Sequence, residues 1–278
     1  MIEELLLPLQ FPFMQRAFLI ALIVSAPTAM LSCFLVLKGW ALMGDAVAHA
    51  VLPGVVLAYI FGAPLILGAF LAGMTCAIAT GYLDENSRVK QDTVMGVVFS
   101  GMFALGLVLY VALGVTADLQ HILFGNMLGV DRAELINALA ISVIVSLGLL
   151  VFWRDLMLHA FDPAQAKASG LATGWLHYGL LTALSLTIVA VLSATGLILA
   201  IGLLIAPGAI AFLLVRNLAA MLAVSVLVCA LSMFLGVYLS FFIDSAPAPT
   251  IILVLTVNFI GVLSHRLWRN RREESRAL

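Results

Sequence analysis

In a long apolar stretch, Asp45 is followed four residues later by His49, in the segment KGWALMGDAVAHAVLPGVVLAYIFG from 38 to 62. Of the fourteen acidic residues in the chain, Asp45 is the one set deep in an apolar run. It lies about seven residues past Lys38, roughly 10 Å along a helix at 1.5 Å per residue. On a helix, the i, i+4 spacing puts the carboxylate and the imidazole on one face, about 6 Å apart at Cβ. A carboxylate oxygen and an imidazole nitrogen together form half of a first-row metal site, and that donor set suits Mn²⁺, Fe²⁺ or Zn²⁺. Two copies brought together across a two-fold axis would supply four ligands. The same pair can also close on itself as an internal hydrogen bond that neutralises both groups, or act as a proton relay.

Two neighbouring features bear on the pair. Ala46, Ala50, Gly54, Ala58 and Gly62 recur every four residues. Such a small-residue stripe lets another helix pack closely, from this chain or from a second one. Pro53 stands four residues after His49 and has no N–H, so it leaves the His49 carbonyl without its helical donor and available as a further oxygen ligand.

These residues need a scaffold, and composition says which kind. The chain has 278 residues, 64% hydrophobic and 10% charged, with mean hydropathy +1.20. Soluble domains carry about 25% charged residues, so there is too little polar surface here for a water-soluble globule. Apolar runs of about 18 to 25 residues are long enough to cross a bilayer as helix. They predict an all-α, polytopic transmembrane helix bundle in one domain over 1–278. Spans fall at roughly 15–37, 41–62, 64–83, 93–113, 134–153, 175–193, 196–215, 218–243 and 249–267. Eight spans with one re-entrant piece is the alternative, since the second, third and ninth are interrupted by Gly and Pro or joined by very short connections. A carboxylate inside a span costs at least about 3 kcal/mol, so Asp45 must face a cavity or a partner.

Lys and Arg set the orientation. With nine spans and the C-terminus (a tail from about 268 to 278) in the cytoplasm, the inside carries Lys38, Arg88, Lys90, Arg154, Lys167, Arg216, Arg266, Arg269, Arg271, Arg272 and Arg276, and the outside carries Arg16 and Arg132. The N-terminus is then outside. With net charge −1 and no basic stripe, nucleic acid is not expected as a partner.

On the inner face, Asp162-Pro163 is followed by helix formers up to Ser169 and closed by Gly170, the signature of one short capped helix. It is either a connector or a docking element. On the outer face, Asp118, Gln120 and His121 form a polar loop or meet a partner. Pro27 and Pro207 free the carbonyls of Ile23 and Leu203 within their spans. Cys33, Cys76 and Cys229 are far apart in apolar runs and read as packing residues. His121, His159, His177 and His265 fall in loops or at span ends and suit interface or solvated roles. The sequence has no GxxxxGK[ST], HExxH or GxSxG motif, so the chain is not expected to hydrolyse ATP itself. An intramembrane aspartyl hydrolase would need a second aspartate.

Several segments together resemble the membrane subunits of the manganese/zinc/iron family of ATP-binding-cassette importers. They are ALMGDAVAHAVLPGVVLAYIFG (41–62), VKQDTVMGVVFSGMFALGLVL (89–109), DLQHILFGNMLGV (118–130), FDPAQAKASGL (161–171), LLIAPGAIAFLL (203–214) and APAPTIIL (246–253). The resemblance runs in order from about residue 16 to residue 266. It implies a permease in a bacterial cytoplasmic membrane, working by alternating access with a second permease subunit, a cytoplasmic ATP-binding subunit and an extracytoplasmic metal-binding protein. It implies that Asp45 and His49 coordinate the transported Mn, Fe or Zn ion, with no tightly bound cofactor. It also implies that Phe161, Asp162, Pro163, Ala164, Gln165, Ala166, Lys167 and Gly170 form the coupling helix against the ATPase. The chain departs from the family pattern at Ala48, where Ser is frequent, and at Ser169, where Leu is frequent. The rival reading is a secondary transporter or channel using Asp45 and His49 as a proton relay, with no ATPase partner.

Overall fold

The computed structural model describes residues 7–114, 125 and 127–277. Nine helical stretches among them are long and apolar enough to cross a membrane. They match the predicted spans closely, and the eight-span alternative is not needed.

Helix α1 (Pro12–Lys38) opens on a proline, which has no N–H to leave unpaired there, and ends at a left-handed Gly39. The second span is two helices, α2 (Met43–Ala50) and α3 (Leu52–Phe61). α4 (Leu65–Asn86) and α5 (Gln91–Ala112) follow. α6 (Arg132–Val151) starts with a reciprocal capping box: Asp131 Oδ1 accepts from the Glu134 N–H at 2.7 Å, and the Asp131 N–H donates to Glu134 at 3.1 Å. Two short helices, α7 (Trp153–Phe161) and α8 (Pro163–Ala168), lead to the last four spans: α9 (Thr173–Thr195), α10 (Leu197–Leu214), α11 (Leu218–Ile243) and α12 (Pro247–Ala277). Helix continues through the predicted tail as far as Ala277. α12 ties back to the bundle where Arg266 donates to the Leu213 carbonyl at 2.9 Å, a cation serving the acceptor-rich end of α10.

Most of α1 is buried, and it packs against α6, α9, α10 and α11. It passes Pro27 without interruption, and α10 does the same at Pro207. Where Pro207 depletes the backbone ladder, Ser32 of α1 intervenes. Its hydroxyl donates to the Ile205 carbonyl at 3.0 Å and accepts from the Gly208 N–H at 2.9 Å. The three cysteines are free and buried, as expected of packing residues.

α3 and α4 pack through glycine. A Cβ on Gly54 would collide with the Gly68 carbonyl and come within 2.6 Å of the Ala72 Cβ, while one on Gly68 would strike the Gly54 carbonyl and lie 2.6 Å from the Ala58 Cβ. Cys76 of α4 reaches the Ala46 carbonyl at 3.8 Å. The stripe of Ala46, Gly54 and Ala58 therefore faces α4 of the same chain, and Ala50 is fully buried. Gly62 does not belong to it. It caps α3 at φ 64°, with Gly62 and Ala63 N–H donating to the Tyr59 and Ala58 carbonyls, and a Cβ there would meet nothing within 4 Å.

Backbone-to-backbone contact of this kind leaves no side chain to move aside. Gly54→Ala is expected to lower stability by about 1–3 kcal/mol. Gly148→Ala on α6, where a Cβ meets open space, is expected to be neutral or mildly stabilising. Thermal unfolding of the purified protein in detergent measures both, and equal midpoints for the two variants would contradict the packing.

Candidate functional site

The second span is broken where the candidate residues sit. Asp45 is in the first turn of α2 and His49 in the last. A carboxylate in the first turn is favoured by the helix dipole, which lowers the cost of keeping it here. Val51 separates α2 from α3, and Pro53 lies in the first turn of α3. The His49 carbonyl was expected to lack a donor because of Pro53. Instead the Val51 N–H donates to it, a closer turn than the helix would make. That oxygen has one bond already, which weakens the case for it as a ligand.

The two side chains are brought together. His49 Nδ1 lies 3.0 Å from Asp45 Oδ1 and 3.0 Å from the Asp45 backbone carbonyl. Both neighbours are acceptors, so the neutral ring carries its proton on Nδ1 and leaves the Nε2 lone pair for another partner. A carboxylate holding the far nitrogen of an imidazole is the arrangement that orients histidines toward metals. It is also the internal hydrogen bond that the spacing allows. In this geometry Nε2 and the carboxylate point apart, so one chain cannot chelate a single ion with both until their bond is exchanged.

α5 fixes the ring. Phe103 meets it edge-on at 5.5 Å between centroids and 79°, and Phe99 lies tilted at 5.7 Å. Gly106 brings α5 to the break: a Cβ there would stand 2.8 Å from the Pro53 nitrogen and 2.9 Å from Leu52. Neither phenylalanine nor Gly106 was singled out from sequence, because no local pattern marks which helix a histidine will meet. The pair stays partly open, with 27% of the His49 side chain and 28% of Asp45 accessible. Beside it is a cavity of about 10 Å³ lined by Ala48, His49, Val51, Leu52, Val55, Leu192 and Leu197, about enough for one water. No cluster of three or more His, Cys, Asp or Glu side chains exists among the described residues. Among the described residues, Asp45 and His49 could supply at most half of a metal site.

The short inner helix forms as the residues predict. Asp162 Oδ1 accepts from the Gln165 N–H at 2.9 Å, and Pro163 follows in the first turn. At the other end, Gly170 and Leu171 N–H donate to the Lys167 and Ala166 carbonyls at 3.1 Å each, with Gly170 at φ 81°. Ala166 is buried; Pro163, Ala164, Gln165, Lys167 and Gly170 are exposed. Phe161, 65% exposed, ends α7 and does not belong to the short helix. α7 lies between the fifth expected span and the short helix, where the sequence analysis places no helix, although buried Leu156 and His159 lie three apart, as one helix face requires. Asp118, Gln120, His121 and Asn126 of the outer stretch lie outside the described residues.

The family model for the ABC 3 transport family matches residues 10–266. The chain belongs to the ABC 3 transport family. It is 53% identical over 256 residues to the chelated iron transport system membrane protein YfeD of Yersinia pestis, covering 92% of this chain and 86% of that protein. It is 44% identical over 273 residues to the manganese transport system membrane protein MntB of Synechocystis, covering 95% and 89%. Among solved structures, PsaBC from Streptococcus pneumoniae in complex with Fab superposes with TM-score 0.85 at 34% identity, covering 94% of this chain and 95% of that one. The resemblance drawn from the motifs is upheld across almost their whole extent.

In this ABC 3 chain His159 is buried on α7, where a solvated or interface position had been expected. Its Nε2 lies 3.0 Å from Lys38 Nζ. Burial, with the Lys38 ammonium and His177 beside it, pushes His159 down to about 4, against about 6.5 for an unfolded histidine. Between those values the unfolded chain binds more protons than the folded one, so stability rises with pH there. The contribution is complete above about pH 6.5 and is lost as pH falls toward 4. Wild type is expected to unfold at lower temperature at pH 5 than at pH 7.5, and His159→Gln to show a smaller difference. Identical pH slopes in the two would refute the assignment.

Proposed function

We propose that the chain is the membrane subunit of an ATP-driven importer of Mn²⁺ or Fe²⁺, with Asp45 and His49 as its part of the ion's path. The observation that carries this is the orientation of His49. Asp45 occupies Nδ1, α5 holds the ring, and Nε2 is left as the donor on a partly open face. His49 Nε2 is the first donor to the ion. The carboxylate orients the ring and offsets part of the ion's charge, and it becomes a second ligand when its bond to Nδ1 is given up. A second permease subunit, identical or related, supplies the matching pair. Few ligands suit a site that must release what it binds. Iron and manganese appear in the names of the similar proteins. Zn²⁺ would accept the same atoms, but nothing beyond donor chemistry speaks for it.

The remaining partners follow from the same reading. A cytoplasmic ATP-binding subunit docks on the exposed side of α8, where Ala164, Gln165 and Lys167 are presented. A metal-binding protein delivers the ion at the opposite face. The chain sits in the bacterial cytoplasmic membrane with its N-terminus outside and its C-terminus in the cytoplasm, as the distribution of Lys and Arg supports. A proton relay through Asp45 and His49 needs no ATP-binding partner, and membership of an ATP-binding-cassette family weighs against it.

Uptake of ⁵⁴Mn²⁺ into proteoliposomes containing the permease, its ATP-binding subunit and its metal-binding protein is the direct assay. His49→Ala is expected to reduce uptake to background. Asp45→Ala is expected to reduce it by about 10–100-fold, the usual range for losing the group that holds a metal-binding histidine. Normal uptake by both variants would end the site assignment. Gln165→Trp, on the exposed side of α8, is expected to prevent co-purification of the ATP-binding subunit while leaving the permease folded. Retention of that subunit would move the docking surface elsewhere.

A further inference from the structure

α7 runs directly into α8, so any displacement of α8 is first felt by α7. α7 is anchored to the bundle by its buried residues, Leu156 and His159. His159 is 6% exposed, and its Nε2 meets Lys38 Nζ at 3.0 Å. Lys38 is the last residue of α1 and lies 4.2 Å over the Trp40 ring. Trp40 stands edge-on to His177 of α9 at 5.3 Å and 88°, and His159 is perpendicular to His177 at 6.3 Å. Trp40 is also joined to the site helix, because its carbonyl accepts from the N–H of Met43, the first residue of α2, at 3.0 Å. One cluster therefore joins α7 to the turn that leads into α2, the helix that carries Asp45 and His49.

The chemistry of the contact is not that of ordinary packing. An ammonium only donates, so Nε2 accepts and Nδ1 carries the proton. Nδ1 is buried and has no partner among the described residues. An unpaired buried donor is costly, and an apolar side chain would fill the same space without that cost. The hydrogen bond that this histidine makes and a leucine would not is the one to Lys38. Its low proton affinity keeps it neutral, and so an acceptor, at physiological pH.

We propose that the Lys38–His159 hydrogen bond is the link that transmits movement of the α7–α8 arm to α2, making the two residues positioning residues for transport. The proposal rests on α8 being the ATPase contact. Cutting the link should leave ATP hydrolysis running while fewer ions cross per ATP. That ratio separates a link from a residue that merely supports the fold.

The test uses the reconstituted complex and measures ⁵⁴Mn²⁺ transported and ATP hydrolysed for Lys38→Met, His159→Leu, the double variant and Lys38→Arg. Each single variant is expected to bind the ATP-binding subunit, to hydrolyse ATP within about twofold of wild type, and to lose ions per ATP by about 2- to 30-fold. The double variant should lose no more than the worse single, since the two act as a pair. Lys38→Arg, which keeps a donor, should recover most of the ratio. An unchanged ratio in the single variants overturns the proposal, as does multiplicative loss in the double or failure of Lys38→Arg to rescue. Should His159→Leu not fold, His159→Gln decides: it keeps an acceptor for Lys38, so a near-normal ratio supports the link and a lost one overturns it. If Gln165→Trp leaves the ATP-binding subunit bound, the reading of α8 fails first and the link falls with it, whatever the ratios show.

Discussion

A carboxylate inside a membrane-spanning helix has to be compensated, and here a hydrogen bond to a histidine one turn away adds to the helix N-terminus in doing so. That bond sets most of what the site can do. It moderates the cost of burying Asp45, and it chooses the imidazole tautomer by occupying Nδ1. It also decides that the ring offers Nε2 to whatever comes next. The backbone contributes at the same place. The Asp45 carbonyl is the second acceptor for Nδ1, so the ring orientation does not depend on the carboxylate alone.

Around this bond the bundle is built from close approaches that only small residues permit. Gly54 against Gly68 holds α3 on α4, and Gly106 lets α5 sit on the Val51–Pro53 break with Phe99 and Phe103 against the imidazole. Packed helices with contacts this short do not deform gradually; they shift as bodies. A site attached to them can be repositioned by moving whole elements. α1 is the frame for such motion, since it lies against α6, α9, α10 and α11 and ends in the turn that starts the site helix.

The spans were legible in the sequence because lipid imposes a length and an apolarity on every one of them. Asp45 and His49 were legible because an acid in such a run is conspicuous and i+4 is a geometric statement. The capped α8 was legible for the same local reason. What escaped was decided by tertiary contact. Gly62 fits a four-residue stripe as well as Gly54 does, yet it ends the helix. The His49 carbonyl acquires the Val51 N–H because the backbone tightens at the break. Phe99, Phe103 and Gly106 belong to another helix and have no spacing relation to His49. α7 was passed over because its nine residues hold only two buried positions, too few for a convincing period.

The incompleteness of the site is consistent with the function proposed for it. Three or four converging ligands would bind a divalent ion tightly and make its release slow. Here one chain contributes an oriented nitrogen and a carboxylate that is already engaged. On the proposed reading, an arriving ion would compete with the Asp45–His49 hydrogen bond for the carboxylate, and that bond would re-form when the ion left. The same interaction that moderates the cost of Asp45 in the span would then lower the affinity of the filled site. Because the two demands would meet in one bond, replacing Asp45 or His49 alone would disturb both the folded helix and the proposed path of the ion, and the ratio of ions carried to ATP consumed is the quantity that tells those effects apart.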